Sequence, residues 1–171
     1  TISVTSFPSL DNDGETIFLK ALNGKIIHAV SYTSAWYQNE LKKDGGWTLE
    51  MIDTQSPCAG SNNWKASVSP TGGTPGKKNS IDGVNTDNTL PKIKNAYTVD
   101  NTTIMVVFDE PVDSISGATL SNYSIDGGLV LLSAATIAPL FNMVQIKTTI
   151  PLNINTVYTI TVSGVKDCKG N

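Results

Sequence analysis

"TTIMVVFDEPVD", residues 102–113, is the stretch that decides the fold. Its apolar part is rich in β-branched residues and ends at two acidic residues and a proline, which is typical of a β-strand. Similar runs recur along the chain, whereas no long segment shows a helical stripe, and residues 34–43 offer at most a single helical turn. The sequence therefore predicts an all-β chain. The other predicted strands are ETIFLKA (15–21), KIIHAVSY (25–32), WTLEMID (47–53), GLVLLSAAT (128–136), NMVQIKTT (142–149) and TVYTITVSG (156–164).

The amino-acid composition limits the classes of protein to which the chain could belong. The 171 residues are 39% apolar, which is enough for a packed core in one large or two small domains. The net charge of -3 argues against a nucleic-acid binder, since phosphate neutralisation requires a basic face. No apolar run approaches the ~20 residues that span a bilayer. The chain starts at Thr1 without a signal-like segment, so we expect it to be a fragment of a longer protein.

A polar stretch, GVNTDNTLP (83–91), separates two blocks of different character. The first block contains all three tryptophans and the glycine-rich SPTGGTPGKKNS (69–80), and the second contains evenly spaced strands and no tryptophan. Polar linkers of this kind are typical of domain boundaries. We therefore predict one domain over residues 1–84 and another over residues 85–171.

The first block resembles the lamin tail domain, an immunoglobulin-like β-sandwich of nuclear lamins and of bacterial surface and secreted proteins. His28 departs from the family, which often has Asp there, and the family's opening strands are absent. The resemblance implies a β-sandwich that lacks its N-terminal strands, with an open sheet edge through which the chain could dimerise. The residues that carry it are FPSLDNDGETIFLKALNGKIIHAVSY (7–32), WY (36–37), GGWTLEMID (45–53), NNWKAS (62–67) and GGTPGKKNS (72–80).

The second block, from about Leu90, resembles the bacterial immunoglobulin-like domains built into surface-layer and adhesin-type proteins. The resemblance implies a second β-sandwich, whose last strand could lie beyond Asn171. The predicted fold is therefore two immunoglobulin-like β-sandwich domains in tandem. The matching segments are LPKIKNAYTVDNTTIMVVFDEPVD (90–113), NYSID (122–126) and VYTITVSGVKDCKGN (157–171).

LDNDGETIFLKA, residues 10–21, could be either a calcium loop or a turn. Asp11, Asp13 and Glu15 alternate as calcium ligands do. Counted from Asp11, however, the EF-hand positions that require glycine and glutamate are occupied by Thr16 and Leu22. We therefore predict a hairpin-like turn in which Gly14 adopts positive φ. Ile17 and Leu19 would then face the core.

The aromatic residues allow two interpretations. Trp36, Tyr37 and Trp47, with Trp64, could form a platform for sugars, or they could pack the core and its rim. Packing is the preferred interpretation, with Trp64 as an anchor. His28, the single histidine, is expected to be a surface strand residue rather than a catalytic base or metal ligand.

GGTPGKKNS (72–80) has the glycines of a phosphate-binding loop but not the spacing. No helix is predicted after it to contribute an N-terminal dipole. We interpret it as an extended segment crossing the sandwich.

Acidic residues could gather at one end of the second domain. The calcium candidates are Asp109, Asp113 and Asp167, with Glu110 and Asn171 nearby, because calcium takes carboxylate and amide oxygens. The alternative is that they are ordinary solvated turn residues. No other cofactor is predicted.

Cys58 and Cys168 are the two cysteines. An even count in an exported protein suggests a disulfide, which would here join the two predicted domains. The alternative is that each pairs with a residue outside this sequence.

The resemblances imply a non-catalytic structural or adhesive module pair of a secreted or cell-surface bacterial protein, acting as a spacer or interaction domain. An enzyme is not expected, since no nucleophile, base and metal set converges in the sequence. The alternatives are a module that binds a polysaccharide or a protein, or an accessory domain of an extracellular hydrolase such as a nuclease or phosphatase. Protein and cell-surface polysaccharide are the expected partners, and neither nucleic-acid binding nor membrane insertion is predicted.

Overall fold

A computed structural model describes residues 9–171 of the chain. Strands make up most of the regular structure there, so the all-β prediction is confirmed, and the helices are too short to cross a membrane. The helical elements are α1 (Ser114–Ala118) and 3-10 turns at Ser34–Tyr37, Gly60–Asn63 and Leu120–Asn122. The strands are β1 (Gly14–Lys20), β2 (Ile26–Thr33), β3 (Leu49–Met51), β4 (Trp64–Ala66), β5 (Ile93–Thr98), β6 (Thr103–Phe108), β7 (Tyr123–Ile125), β8 (Leu131–Thr136), β9 (Met143–Thr148) and β10 (Ile160–Val162).

The chain divides into two compact units. The first consists of the residues up to Thr54 together with Trp64–Val84, and the second consists of Gln55–Asn63 and Asn85–Asn171. The long segment of the second unit begins at Asn85. Residues 55–63, which were assigned to the first domain, are instead part of the second unit.

The second unit contains two antiparallel sheets that share one hydrophobic core. One sheet has four strands in the order β5-β6-β9-β8, and the other pairs β10 with β7. Since the buried cluster takes residues from both sheets, the core lies between them. The buried members are Ile104, Val106, Phe108, Val112, Tyr123, Val144, Ile146 and Val165.

The short helix α1 is fitted closely against this core. Asp113 caps its N-terminus by accepting a hydrogen bond from Ser116 N at 2.7 Å. A Cβ atom at Gly117 would lie 2.6 Å from Thr136 Cγ2, so glycine is what allows the helix to approach β8. The hydroxyl of Tyr123 donates to the Gly117 carbonyl at 2.8 Å, and burial raises the pKa of Tyr123 to about 12.

In the first unit, β1 and β2 form an antiparallel hairpin. Its turn is at residues 21–25, where Ala21 N donates to Lys25 O at 2.8 Å and Gly24 has a φ of 83°. The predicted turn before β1 is a bend at residues 12–13, which leads directly into the strand and does not connect the two strands of the hairpin. Gly14 does adopt positive φ, at 136°, and a Cβ there would lie 2.4 Å from the Tyr32 carbonyl oxygen.

The apolar side chains of this hairpin remain accessible to solvent. Ile17 is 38% exposed and Leu19 is 58% exposed, so the prediction that both face a core is wrong. Phe18 and Ile27 are exposed as well. In the described residues β1 pairs only with β2.

A buried carboxylate, Glu50 on β3, organises the rest of the first unit. Its Oε1 accepts a hydrogen bond from Thr74 Oγ1 at 2.5 Å, and its Oε2 accepts from both the N–H and the hydroxyl of Ser80 at 2.7 Å. The glycine-rich segment between these two partners therefore wraps around a carboxylate of its own chain. Burial alone would raise the pKa of Glu50, but the hydrogen bonds outweigh it and lower the pKa to about 2.

Replacement of Glu50 by Gln should destabilise the first unit at neutral pH. The carboxylate stabilises the fold above its unfolded pKa of about 4.5, and this contribution disappears as pH falls from there to about 2. A shift of this size corresponds to roughly 3 kcal/mol in the free energy of unfolding. Urea denaturation followed by tryptophan fluorescence at pH 7 and near pH 2 would measure the loss, because all three tryptophans lie in the first unit.

The matched control is Glu40→Gln, since the Glu40 side chain is largely exposed. It should leave the acid transition of the first unit unchanged. An identical pH dependence of the wild type and Glu50→Gln would contradict the assignment.

Candidate functional site

The bend that follows β6 places a carboxylate on the core side of the second unit. Within β6, successive residues point to opposite faces, so Ile104, Val106 and Phe108 enter the core cluster. The chain bends at Asp109 and Glu110, and Val112 rejoins the core cluster after the bend. Glu110 is only 8% exposed, so its side chain is buried at the edge of the core.

Glu110 belongs to a cluster of three carboxylates with Asp87 and Asp167. Each contributes an oxygen atom, and the three oxygens lie within 4.8 Å of one another. Asp167 is 3% exposed, and Asp87 is partly buried. Asp167 lies two residues after the core residue Val165 and pairs with the core residue Val112 in an isolated antiparallel bridge. The segments that carry these residues are distant in sequence and converge at the rim of the core.

Hydrogen bonds fix the orientations of the Asp167 and Asp87 side chains. Asp167 Oδ1 accepts from the backbone N–H groups of Lys169 at 2.8 Å and Asn171 at 2.9 Å, and its Oδ2 accepts from Asn171 Nδ2 at 3.0 Å. Asp87 Oδ1 accepts from the N–H of Thr89 at 3.0 Å and from its hydroxyl at 2.5 Å. The carboxylate orientations are therefore set by backbone turns before any ligand is considered.

Glu110 is held differently. Its Oε2 atom is buried and has no hydrogen-bond partner, and the same is true of Asp87 Oδ2. Burial, followed by the charges of Asp87, Asp167 and Asp109, raises the pKa of Glu110 to about 7. The cluster thus concentrates negative charge where solvation is poor, and added positive charge would stabilise it.

Of the three calcium candidates from the sequence, only Asp167 lies in this cluster. Asp109 is exposed, and its Oδ1 accepts from Lys92 N at 2.8 Å, so it joins the ends of β5 and β6. Asp113 caps α1, and the Ser116 N–H lowers its pKa. Among the described residues, Asp109 and Asp113 therefore lie outside the group of carboxylates close enough to share one ion.

Sequence reasoning missed Asp87 because it lies in the polar stretch that was interpreted as a linker. Its Oδ1 bonds to Thr89, a side chain-to-backbone pattern that Asp commonly forms in turns. The DNT triplet at residues 87–89 was the local signal for that turn. Nothing in the local sequence indicates that the turn lies beside Glu110 and Asp167.

A disulfide joins Cys58 to Cys168, with Cα atoms 6.0 Å apart and 110 residues of separation. Both cysteines are in the second unit, so the bond closes that unit rather than joining two domains as predicted. It attaches residues 55–63 beside the cluster, because Cys168 follows Asp167. A Cβ at Gly60 would lie 3.6 Å from Glu110 Cβ, so this segment packs over the glutamate.

The predicted aromatic platform has the geometry of local packing. Trp36 contacts Trp64 with ring centroids 6.2 Å apart and an interplanar angle of 36°. Trp47 lies under the Lys42 ammonium, 4.0 Å from the ring centroid, and its carbonyl accepts from the Tyr37 hydroxyl at 3.1 Å. The rings are half-buried. Tilted, partly covered rings differ from the flat exposed set that sugar stacking requires.

His28 pairs with Leu19 across the β1–β2 hairpin and is half-buried. Within residues 9–171, the groups of acidic, cysteine and histidine side chains close enough to hold a metal ion do not include it.

A known protein family matches most of the second unit. Residues 84–171, more than half of the chain, match the family model described as a bacterial Ig-like domain. The chain belongs to the bacterial Ig-like domain family. The shared core and the acidic cluster lie within this bacterial Ig-like domain, whereas Cys58, the partner of Cys168, lies outside the matched residues. No curated protein matches the sequence.

Solved structures of the S-layer protein SbsC are similar to about half of the chain. One crystal structure is 26% identical, covers 48% of this chain and 12% of its own, and gives a TM-score of 0.44. A structure of SbsC domains 1–6 is 26% identical, with 49% and 12% coverage and a TM-score of 0.45. The N-terminal part of SbsC gives 26% identity, 48% and 21% coverage and a TM-score of 0.44. The chain therefore spans only a small part of those proteins.

Loss of the disulfide should destabilise the second unit strongly. In the chain-entropy model, cross-linking residues about 110 apart stabilises the native state by roughly 4 to 5 kcal/mol. Thermal melts with and without a thiol reductant would measure the difference. The Cys58→Ser/Cys168→Ser double variant is the control, because it should melt at the lower temperature and be insensitive to reductant. Equal melting of the oxidised and reduced wild type would argue against the bond.

Proposed function

We propose that the chain is a non-catalytic structural module pair of a secreted or cell-surface bacterial protein, in which the two units act as a spacer. The observation that carries the proposal is the family match over residues 84–171. Fold alone does not specify function, so the proposal also depends on the character of the site. The acidic cluster is buried at the rim of a core and is not a cleft open to a substrate.

The disulfide supports an exported location. Disulfides form and persist outside the cytoplasm, and the cysteines of this chain are both used in one. A cross-link of this length also suits a module that must stay folded without the help of cellular chaperones. The disulfide thus supports the proposed location outside the cell or on its surface.

The proposal extends to the first unit, which we take to be a lamin-tail-like sandwich in tandem with the Ig-like domain. Its support is the order of the motifs from residues 7 to 80, and the paired strands β1–β2 and β3–β4 lie within those motifs. This unit has few buried apolar side chains of its own among the described residues, with Ala66 as the example. A partial sandwich would have this character.

A second candidate function is binding of a protein partner through the first unit. The observation that favours it is the apolar hairpin, on which Ile17, Phe18, Leu19 and Ile27 are exposed. Exposed apolar patches and free strand edges commonly mark protein interaction sites. Dimerisation through an edge of β1 or β2 that is unpaired within residues 9–171 is the simplest form of this candidate. Polysaccharide binding and an accessory role beside a hydrolase have no comparable support from the geometry.

Binding measurements on the immobilised chain would test the spacer proposal. Purified cell-wall polysaccharide should give no saturable binding, because Trp36 and Trp64 contact each other and Trp47 is covered by Lys42. Saturable binding that is lost in Trp47→Ala would overturn the proposal in favour of a polysaccharide-binding module. Trp64→Ala is a less suitable probe, since Trp64 begins β4 and its loss could unfold the unit.

Light scattering coupled to size-exclusion chromatography separates the second candidate from the first. A spacer should be monomeric. A dimer that becomes monomeric on Phe18→Lys, but not on Val130→Lys at a still more exposed apolar residue of the second unit, would favour pairing through the hairpin.

A further inference from the structure

The spacing of the three carboxylates in the second unit fits a single metal ion. Calcium binds oxygen ligands at 2.3–2.6 Å, so oxygens around one ion can be up to about 5 Å apart. The oxygens of Asp87, Glu110 and Asp167 lie within 4.8 Å of one another. One ion could therefore contact all three at once.

A second observation separates this cluster from ordinary surface acids. Glu110 is more than nine-tenths buried and its Oε2 has no hydrogen-bond partner. Buried polar atoms in native proteins are nearly always satisfied, and an exception suggests a missing water or ion. Asp87 Oδ2 is a second buried oxygen without a partner in the same cluster. Two unsatisfied oxygens of like charge are thus held beside a third carboxylate.

The types of ligand atom in the cluster indicate which metal ion would bind there. All three side chains offer oxygen, whereas zinc sites in proteins rely on cysteine and histidine. Both cysteines are in the disulfide, and His28 belongs to the first unit. Magnesium prefers a regular octahedral shell and retains several waters, whereas calcium accepts irregular sets of carboxylates. We propose that Asp87, Glu110 and Asp167 form a calcium-binding site.

The position of the site suggests what calcium does there. Asp87 lies near the start of the second unit, Glu110 follows β6, and Asp167 lies in the last turn beside Cys168. Asn171 connects two of these segments, because its Nδ2 donates to the Asp87 carbonyl and to Asp167 Oδ2, each at 3.0 Å. A calcium ion would fasten these segments together and stabilise the domain. This role is independent of the spacer proposal.

Calcium titration of the full chain after removal of metal with EDTA tests the site. Isothermal titration calorimetry should give a dissociation constant of roughly 0.1 to 1 mM, the range of extracellular calcium modules. At about 10 mM calcium, the folding equilibrium constant measured by urea denaturation should then rise roughly 10- to 100-fold. Magnesium should bind at least about tenfold more weakly.

Three variants connect the binding to the named residues. Glu110→Gln and Asp87→Asn should each weaken calcium binding at least about tenfold, because each removes one charged ligand of three. Asp109→Asn is the matched control, since it removes a neighbouring carboxylate that lies outside the cluster, and binding should stay within about twofold of the wild type. Glu110→Gln keeps the shape of the side chain and should fold in EDTA.

Each alternative outcome is decisive. An absence of binding heat and of any shift in the urea midpoint would overturn the site. Wild-type affinity in both Glu110→Gln and Asp87→Asn would show that calcium binds elsewhere. Equal affinity for magnesium would overturn the assignment to calcium.

Discussion

The side-chain alternation from Ile104 to Phe108 is the constraint on which the second unit depends. Strand β6 lies between β5 and β9, and its core-facing residues meet those of β9 and β7. Because the period is two, Ile104, Val106 and Phe108 all face the core. The chain then bends at residues 109 and 110, where Asp109 is exposed and Glu110 is buried. The acidic cluster therefore forms where the strand that builds the core ends.

Two buried glutamates in this chain show how surroundings decide the state of the same side chain. Glu50 receives hydrogen bonds from Thr74 and from both donors of Ser80, so its charge is solvated by the protein. Glu110 has carboxylates for neighbours instead, and one of its oxygens has no donor. Burial acts on both in the same direction, but the donors decide the outcome for Glu50. Its pKa falls, whereas that of Glu110 rises.

Local sequence patterns predicted much of the second unit and less of the site. The strands around TTIMVVFD, NMVQIKTT and GLVLLSAAT all appear, since β-branched runs bounded by turn residues specify them locally. Glu110 was named beside the calcium candidates for its carboxylate, but it lies in a bend after β6, and its burial was not predicted. The positions of Asp87 and of residues 55–63 could not be predicted either. The residues that they contact are far away in sequence, so the local sequence pattern contains no information about those contacts. Ile17 and Leu19 were predicted to be buried but are exposed. An alternating strand pattern leads to burial only where another layer of the protein covers that face.

The disulfide also determines how tension would travel along the chain. Cys58 and Cys168 are covalently joined, so a pull applied outside this pair passes through the sulfur–sulfur bond. The intervening residues, including β4 to β10, then lie off the covalent path of the pull and cannot be drawn out into an extended thread. Fully stretched, a segment of this length would span roughly 350 to 400 Å. While the disulfide is intact, this length of chain cannot be extended, and the disulfide transmits the pull in its place.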